Sequence, residues 1–522
     1  MVKIVVQRRD RQLSWLNRII STLFFLLTLL VLYFAIRSNN FDILQLPRTV
    51  KVLFIVTLLI ISLCAGIRPL WRLVKKLGVH LFAFMKKRIK LLAILLLMLT
   101  LVYQVLLVAS VYAFPGWDPG EILMAIQNNG FPAGFYDGDY LSYYPNNRFF
   151  YFLMHFISSI TGGAHLRVWQ MFNALCIDLG VILTALAARN KFGKKCGYLS
   201  YFLGILLVAL TPRLYLPYTD TVVLPLVAAG LYLLTLYKST DKLTKLIWSG
   251  GLLGIIVALT YSMKMSASIP FIAILIIGIF RFFSNKEKGL TLARKSLLVY
   301  VSLAFAGLAL TNIAFETYSA NQTIMPIHKE KAIPVTHFMM MGLTGDGGWN
   351  HEDVLTTLNA KDRSQRIAVH TSVILQRLDE YGAKGYAAFL LEKFRSNTAD
   401  GTFGWGVEAD CLAAPEELGG FLSLPAKVIK SLYSLDGSSL SLFRFYAQII
   451  WILTLIAMLL TSKTRDDFST ALKLSFIGAL VFLLLFEGGR SRYLIQFLPT
   501  ISILASLGTM RFYEMLRGIS KK

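Results

Sequence analysis

Acidic, basic and hydroxyl side chains suited to group transfer are concentrated in five short stretches that lie between long apolar runs. The first stretch holds Asp118 and Glu121 in the sequence WDPGE (117–121). A carboxylate in such a position can take a proton from an attacking hydroxyl. The stretch continues into a segment dense in hydroxyl, amide and guanidinium groups, which suits recognition of a polyhydroxylated molecule. The candidates there are Tyr144, Asn146, Asn147 and Arg148.

The same acid also has a structural explanation. Pro119 disfavours helical backbone at Asp118 and is itself favoured at the first helical position. Asp118 is therefore suited to the N-cap of a helix, with Glu121 in its first turn. In that case the tyrosines and amides that follow form an ordinary polar turn at a membrane interface, where tyrosine is common.

Three further stretches supply cations. Arginine forks and lysine ammonium groups bind phosphate oxygens, and cations placed over a departing phosphate stabilise the charge that develops there. The candidates are Arg213 and Asp220 in TPRLYLPYTD, Lys264 in MKMS, and Arg490, Arg492 and Tyr493 in EGGRSRY. The structural alternatives are a helix cap for Asp220, a lysine that snorkels to the interface for Lys264, and an ion pair of the arginines with Glu487.

The fifth stretch, THFMMMGLTGDGGWNHED, lies in a long segment between two apolar runs. It offers His337, Asp346, Trp349, His351 and Asp353 as candidates for contact with an acceptor. A divalent metal is an alternative for His351 and its acidic neighbours, but consecutive His-Glu-Asp is not a ligand spacing that metal sites use. We accordingly predict no cofactor.

Long apolar runs must position these stretches. The chain has 522 residues, 56% hydrophobic and 16% charged, which excludes a disordered chain and an ordinary soluble enzyme. Runs of about 17–25 apolar residues predict transmembrane helices. Twelve such runs occur, at 17–36, 50–67, 91–113, 167–188, 197–212, 220–237, 245–262, 268–283, 296–316, 443–461, 472–487 and 493–512. A shorter run, 149–160, predicts a helix that lies at the interface.

The formal net charge of +24 arises from 53 Lys and Arg against 29 Asp and Glu. The excess lies in short segments that alternate with the five stretches, above all in 68–90 and in ARNKFGKK (188–195). Positive residues favour the cytoplasmic side, so both termini are predicted to be cytoplasmic and the five stretches extracytoplasmic. This placement explains the charge without a nucleic-acid partner. Segment 68–90 is predicted to be a basic amphipathic helix on the inner leaflet.

The predicted fold class is an all-α polytopic membrane protein with about twelve transmembrane helices. Four parts are predicted: two N-terminal spans with the basic helix (1–90), a catalytic core (91–316) with a first outer loop (114–166), an extracytoplasmic domain (317–442), and the last core helices (443–522). The extracytoplasmic domain is predicted to be helical because 364–381 and 383–397 show helical periodicity on either side of Gly382.

From residue 91 to about 512, the order of elements resembles the GT-C superfamily of polyprenyl-phosphate-dependent glycosyltransferases, which includes the protein O-mannosyltransferases and the lipid A aminoarabinose transferase. The resemblance is carried by WDPGE (117–121), YPNNRFFYFLMHFI (144–157), ALAARNKFGKK (185–195), YTD (218–220), MKMS (263–266) and RYL…LP (492–499). It implies inverting transfer of a sugar from a polyprenyl-phosphate donor in the membrane. It also implies Asp118 as the general base, with Glu121 as the alternative, and an extracytoplasmic glycan, cell-wall polymer or lipid as the acceptor.

Three features depart from that pattern. Two spans and a basic helix precede the first helix of the superfamily, the large outer domain is an internal loop, and the two acids are spaced as D-P-G-E. The segment MGL…GDGGWN…D (341–353) resembles Gram-positive membrane proteins that decorate cell-wall polymers.

Two other functions remain open from the residues alone. A polysaccharide polymerase or ligase would use pyrophosphate-linked donors at the same face and share the outer arginines. A twelve-helix transporter or flippase would commonly show two related halves and ionisable residues at mid-span. The sequence shows no similarity between its halves.

Overall fold

Helices account for nearly all of the regular structure. The computed structural model describes residues 2–519, apart from 133, 135, 137, 239–241, 285–291, 406–411 and 413–415. The two short strands of the described residues, β1 (Val111–Tyr112) and β2 (Glu416–Glu417), pair antiparallel.

Twenty α-helices are assigned in the described residues. The first ten are α1 (Val2–Ile36), α2 (Arg48–Gly66), α3 (Arg68–Ser110), α4 (Asp118–Gln127), α5 (Tyr140–Tyr143), α6 (Arg148–Ile160), α7 (Leu166–Phe192), α8 (Lys194–Gly204), α9 (Thr219–Val222) and α10 (Leu224–Leu236). The second ten are α11 (Leu243–Met263), α12 (Ile269–Ser284), α13 (Leu292–Asn321), α14 (Val335–Met341), α15 (His351–Leu358), α16 (Arg363–Thr398), α17 (Ser423–Tyr433), α18 (Leu440–Leu459), α19 (Asp467–Leu485) and α20 (Leu498–Ile519). Short 3₁₀ turns connect several of them, including Met265–Ser268 and Ser491–Phe497.

The apolar runs form the helices that the sequence predicts. Among the described residues, ten helices are long and apolar enough to cross a membrane, which confirms the all-α polytopic fold. The other two predicted runs are also helical. Run 50–67 lies in α2, and run 197–212 forms α8 and a π-helical turn, Ile205–Ala209, before the helix ends. The shorter run at 149–160 is the 13-residue α6.

The basic segment 68–90 is helical, as predicted, and continues directly into the following span. α3 runs from Arg68 to Ser110, and its one residue with non-helical backbone angles is Arg88, next to the predicted boundary at residue 90. The side chains of 77–86 lie outside the described residues, so the amphipathic character of this segment stays a prediction.

Close helix contacts shape the bundle. α11 packs along α13, where a Cβ at Gly254 would lie 2.0 Å from the carbonyl oxygen of Ala304. Small residues permit such approaches between membrane helices. α1 packs against α18 and α19, with the rings of Phe24 and Phe476 5.8 Å apart. The first helix is therefore an integral part of the bundle.

The segment between α13 and α18 is helical, as predicted. The two periodic segments form α16, and Gly382 interrupts it with φ +56° and ψ 177°. That backbone conformation favours glycine, because a side chain at positive φ is strained. The β1–β2 pair ties the end of this segment to the end of α3.

The predicted first span within α1 begins at the end of the bundle that α20 approaches, where Lys195 Nζ lies 5.3 Å from the ring centre of Tyr513. At the beginning of the predicted first span, near the middle of α1, Asn17 donates to the carbonyl oxygen of Arg465, 3.4 Å away. At that end the exposed pair Arg281–Asp467 also joins α12 to α19 at 2.6 Å. α20 begins at the opposite end and runs back toward it.

Candidate functional site

Two cations and a carboxylate from three elements meet at the end of the bundle opposite Asn17 and the Arg281–Asp467 pair, called the site end below. Asp220 lies in the first turn of α9, and its side chain is 4% exposed. The ammonium of Lys264, which follows α11, lies 2.6 Å from Asp220 Oδ1, and Arg492 Nε lies 3.3 Å from Oδ2. Two cations on one carboxylate leave a net positive charge, which favours an anionic ligand.

Aromatic rings surround these cations. The guanidinium carbon of Arg492 lies 4.3 Å from the ring centre of Trp117. The ring centre of Tyr493 lies 5.1 Å from both Lys264 Nζ and Arg492 Cζ. Cation–π contact strengthens when water is excluded, so the rings hold the two cations in place.

Arg213 approaches the same cluster from the bundle interior. Its side chain is buried and donates to the carbonyl oxygen of Thr402 at 3.2 Å, while Cζ lies 5.7 Å from the ring centre of Trp405. A small cavity at this point is lined by Trp117, Arg213, Leu216, Tyr218, Asp220, Thr221, Arg492 and Ile495. The predicted cations Arg213, Lys264 and Arg492 are therefore brought together.

Asp118 lies beside this cluster, at the start of α4. The prediction that it caps the helix is wrong: Trp117 occupies the N-cap, its carbonyl oxygen accepts from the Gly120 amide at 2.7 Å, and the helix begins at Asp118. The carboxylate instead accepts a hydrogen bond from the Tyr218 hydroxyl, with 2.7 Å between Oη and Oδ2. The half-buried carboxylate thus binds a residue outside its own helix.

A chain of polar side chains continues from Asp118 into the first loop. The Tyr218 hydroxyl also lies 3.1 Å from Asn147 Oδ1, and Asn147 Nδ2 donates to the Tyr140 hydroxyl at 2.6 Å. The ring of Tyr218 packs edge-on against Trp117, with 5.2 Å between ring centres. Tyr218 therefore contacts Asp118, Asn147 and Trp117, and the ring of Trp117 in turn contacts Arg492.

A second carboxyl group, Glu487, lies near Asp118 between α19 and α20. The Tyr493 hydroxyl donates to Glu487 Oε1 at 3.0 Å. Burial raises the pKa of Glu487, the negative charge of Asp118 adds to the rise, and the hydrogen bond from Tyr493 and the positive charges of Arg490 and Arg492 oppose it. The site end therefore holds three carboxyl groups, Asp118, Asp220 and Glu487, beside its cations.

The fifth stretch packs directly on the fourth. The Gly488 amide donates to the Gly347 carbonyl oxygen at 2.7 Å. Gly489 has φ +73°, and a Cβ there would lie 2.5 Å from the carbonyl oxygen of Asp346. Only glycine permits this approach, which brings GDGG and EGGR together beside Arg490.

A family model described as a conserved hypothetical integral membrane protein matches residues 12–512. The chain belongs to this family of integral membrane proteins. The match spans all five stretches of the site. No curated protein and no solved structure matches the chain.

Sequence reasoning missed a buried lysine of this integral membrane protein. Lys393, in α16, is fully buried, and its ammonium donates to the carbonyl oxygens of Gly342, Leu484 and Phe486 at 2.6, 3.0 and 2.7 Å. Burial lowers its pKa to about 8. The lysine ties the fifth stretch to the end of α19. Its helical neighbours carry other charges, so the sequence offers no signal that this one is buried.

Asp400, also missed, fastens the loop that contacts Arg213. It accepts from the amides of Thr402 and Gly404, each at 2.7 Å, and from the Ser491 hydroxyl at 3.2 Å. Asn40, between α1 and α2, donates to it at 2.7 Å. The N-terminal segment is thereby connected to the site end.

Some predicted site residues lie elsewhere. Arg148 is buried, and its Nε donates to the Leu141 carbonyl oxygen at 2.9 Å, so it holds the first loop rather than contacting the Asp220 cluster. Asn146 is exposed, next to the buried Asn147. Glu121 is half-buried in the first turn of α4, three residues beyond Asp118.

Most of the predicted acceptor candidates help to hold together the segment between α13 and α18, called the loop domain below. His337 is buried, with Nδ1 2.7 Å from the Thr357 hydroxyl, and Asp353 pairs with Arg377 at 2.6 Å. Trp349 is 51% exposed and its ring centre lies 5.9 Å from that of His351. Within the described residues, no group of three His, Cys, Asp or Glu could hold a metal ion.

Proposed function

We propose that the protein is a membrane glycosyltransferase. It moves a sugar from a polyprenyl-phosphate donor to an extracytoplasmic acceptor and inverts the anomeric centre. The observation that carries the proposal is the meeting of Asp118 with the Lys264–Asp220–Arg492 cluster across Tyr218 and Trp117. Sugar transfer from a phosphate requires a carboxylate that accepts the proton of the acceptor hydroxyl. It also requires cations that stabilise the negative charge on the departing phosphate.

Asp118 acts as the general base. The acceptor hydroxyl loses its proton to the carboxylate while its oxygen attacks the anomeric carbon. The hydrogen bond from Tyr218 fixes Oδ2 and so orients the carboxylate. Glu121 remains the alternative base, because it follows in the same helix turn.

The cations receive the departing phosphate. The bond between the anomeric carbon and the phosphate oxygen breaks, and its electron pair stays on that oxygen. Lys264 and Arg492 balance the new charge, because Asp220 neutralises only one of them. Attack from the face opposite the phosphate inverts the anomeric centre.

The position of Lys264 suits a lipid-linked donor. It lies at the end of a span, and the neighbouring Tyr261 and Met265 are half exposed. An isoprenoid tail can stay beside these apolar surfaces while its phosphate reaches the cluster. With the termini cytoplasmic, as positive-inside sidedness predicts, the site end lies on the extracytoplasmic face.

One interior cavity lacks the lining that ion-coupled transport needs, and the buried carboxylate of Asp178 in α7 accepts a hydrogen bond from Gln104 at 3.0 Å. A cavity among α7, α8 and α20 is lined by Gly180, Val181, Thr184, Ser200, Gly204, Val208, Leu224, Leu498, Pro499 and Ser502. None of these residues is charged, whereas ion-coupled transport calls for ionisable groups facing such a space.

The experiment is a comparison of donors with the purified full-length protein in lipid nanodiscs. A set of polyprenyl-monophosphate sugars and a matched set of polyprenyl-pyrophosphate oligosaccharides are each supplied with a membrane extract as the source of acceptors. Release of polyprenyl monophosphate from the first set is the expected result. Turnover of the pyrophosphate-linked set alone would identify a polymerase or ligase instead, and turnover of neither would overturn the proposal.

A further inference from the structure

A cluster of tyrosines lies beside Asp118 and takes no part in the proposed donor site. We propose that Tyr136, Tyr140 and Tyr144 form a platform that binds an uncharged saccharide ring as the acceptor. The acceptor role rests on the proposed glycosyltransferase function, whereas saccharide binding itself does not. The platform differs from the acceptor contacts that the sequence predicted in the segment 337–353.

The three rings contact each other closely. Ring centres lie 5.7 Å apart for Tyr136 and Tyr140, 5.4 Å for Tyr136 and Tyr144, and 5.2 Å for Tyr140 and Tyr144. The hydroxyls of Tyr136 and Tyr144 are 2.9 Å apart and hydrogen-bonded. Tyr140 is buried, while Tyr136 and Tyr144 are partly exposed. The cluster therefore offers ring surface and hydroxyls together.

The platform is connected to the proposed base. The Tyr140 hydroxyl accepts from Asn147, Asn147 Oδ1 lies against the Tyr218 hydroxyl, and Tyr218 donates to Asp118. Burial raises the pKa of Tyr144, and the negative charges of Asp118 and Glu487 contribute to the rise. A ring resting on the platform would thus place its hydroxyls beside the carboxylate that must deprotonate one of them.

Residues 328–333 of the loop domain contact the segment that carries the platform. The Ile333 amide donates to the Tyr143 carbonyl oxygen at 3.0 Å, and the His328 amide donates to the Ser142 hydroxyl at 2.9 Å. Lys331 forms an ion pair with Asp139. A surface fixed in this way loses little conformational entropy when a ligand binds.

Arg366 adds a second layer of support. It donates to the Lys331 carbonyl oxygen at 2.7 Å, and its Cζ lies 5.5 Å from the ring centre of Tyr143. Arg366 is itself buried, so the support does not depend on a mobile surface side chain.

The chemistry of the platform points to a saccharide. A sugar ring combines an apolar C–H face, which can rest on an aromatic ring, with equatorial hydroxyls that need hydrogen-bond partners. Asp118 and Glu487 make an anionic ring unfavourable at this position. A phospholipid acceptor would require a continuous apolar surface, which hydroxyls tied to Asn147 and to each other do not provide.

The test measures saccharide binding separately from transfer. Saturation-transfer NMR is recorded on the full-length protein in nanodiscs with neutral gluco-, manno-, galacto- and N-acetylglucosamine tetrasaccharides. At least one tetrasaccharide is expected to bind. Tyr144→Leu should weaken that binding about fivefold to tenfold, whereas Tyr144→Phe should stay within about threefold because the ring remains. Phe421→Leu, at an aromatic residue that is 93% exposed, is the matched control.

The outcomes separate the two proposals. Saccharide binding without donor turnover would support the platform and overturn the glycosyltransferase. Donor turnover onto a peptide or phospholipid without saccharide binding would overturn the platform alone. Unchanged binding in both Tyr144→Leu and Tyr136→Leu would also overturn it.

Discussion

The hydroxyl of Tyr218 donates a hydrogen bond to Asp118 across 2.7 Å, although the two residues lie 100 positions apart in the chain. This contact fixes the proposed base relative to the segment that carries Asp220 two residues later. The proposed base and the proposed phosphate site are therefore held as one unit.

Removal of this hydroxyl should impair catalysis more than binding. Tyr218→Phe keeps the ring contact with Trp117 and loses the hydrogen bond to the carboxylate. A hydrogen bond to a charged group contributes about 1.5–3 kcal/mol, so kcat should fall roughly tenfold to hundredfold with little change in the donor KM. Steady-state release of polyprenyl phosphate measures this, with Tyr33→Phe on the exposed face of α1 as the control. An unchanged kcat would show that Tyr218 does not position the base.

The cations of the proposed phosphate site should not be interchangeable with other cations. Arg492→Lys keeps the charge but loses the planar contact with Trp117 and the Nε contact with Asp220. We expect kcat/KM for the donor to fall by about tenfold or more. Arg281→Lys, in the exposed pair with Asp467, should stay near the wild-type value. Equal effects of the two substitutions would argue against a phosphate site at Arg492.

The loop domain should lose stability in acid. Burial, aided by nearby positive charge, lowers the pKa of His337 and His370 from 6.5 to about 4, although the charge of Asp353 opposes this. Between these values the unfolded chain binds more protons than the folded one, so the free energy of unfolding falls as pH is lowered from about 6.5 to 4 and is flat above. Denaturant unfolding at several pH values measures the slope.

A double variant provides the control for this pH dependence. His337→Gln with His370→Gln should flatten the slope between pH 6.5 and 4, whereas exposed His351→Gln should leave it as in the wild type. A wild-type slope in the double variant would assign the acid sensitivity to other groups.

The site end should face away from the cytoplasm. In a chain whose four native cysteines are replaced, Trp349→Cys should react with a membrane-impermeant maleimide in intact cells. Lys194→Cys, in the basic turn between α7 and α8, should react only after permeabilisation. The reverse pattern would place the donor and acceptor on the cytoplasmic side.

The helices were predictable because apolar runs and helical periodicity are local signals. The interruption of α16 at Gly382 is an example, since a single glycine between two periodic segments marked it. The meeting of Asp118, Asp220, Lys264 and Arg492 agrees with their predicted placement on one side of the membrane, since residues at one end of a bundle have few places to lie.

Contacts that depend on side-chain direction were not predictable. Arg148 and Arg492 follow similar polar stretches, yet one bonds a loop carbonyl and the other contacts Trp117. The burial of Lys393 depends on where α19 ends relative to α16, which no local pattern encodes. The prediction that Asp118 caps α4 was wrong because its carboxylate accepts a hydrogen bond from Tyr218, a residue that is distant in sequence.

The most direct test of the account is donor turnover by Asp118→Asn, measured beside Glu121→Gln in the same nanodiscs. Loss of the general base should reduce turnover roughly 10²- to 10⁴-fold in Asp118→Asn, while Glu121→Gln remains close to the wild type. Thermal unfolding should show that both variants are folded. Retained turnover in folded Asp118→Asn would contradict the account, and its loss in Glu121→Gln alone would move the base to Glu121.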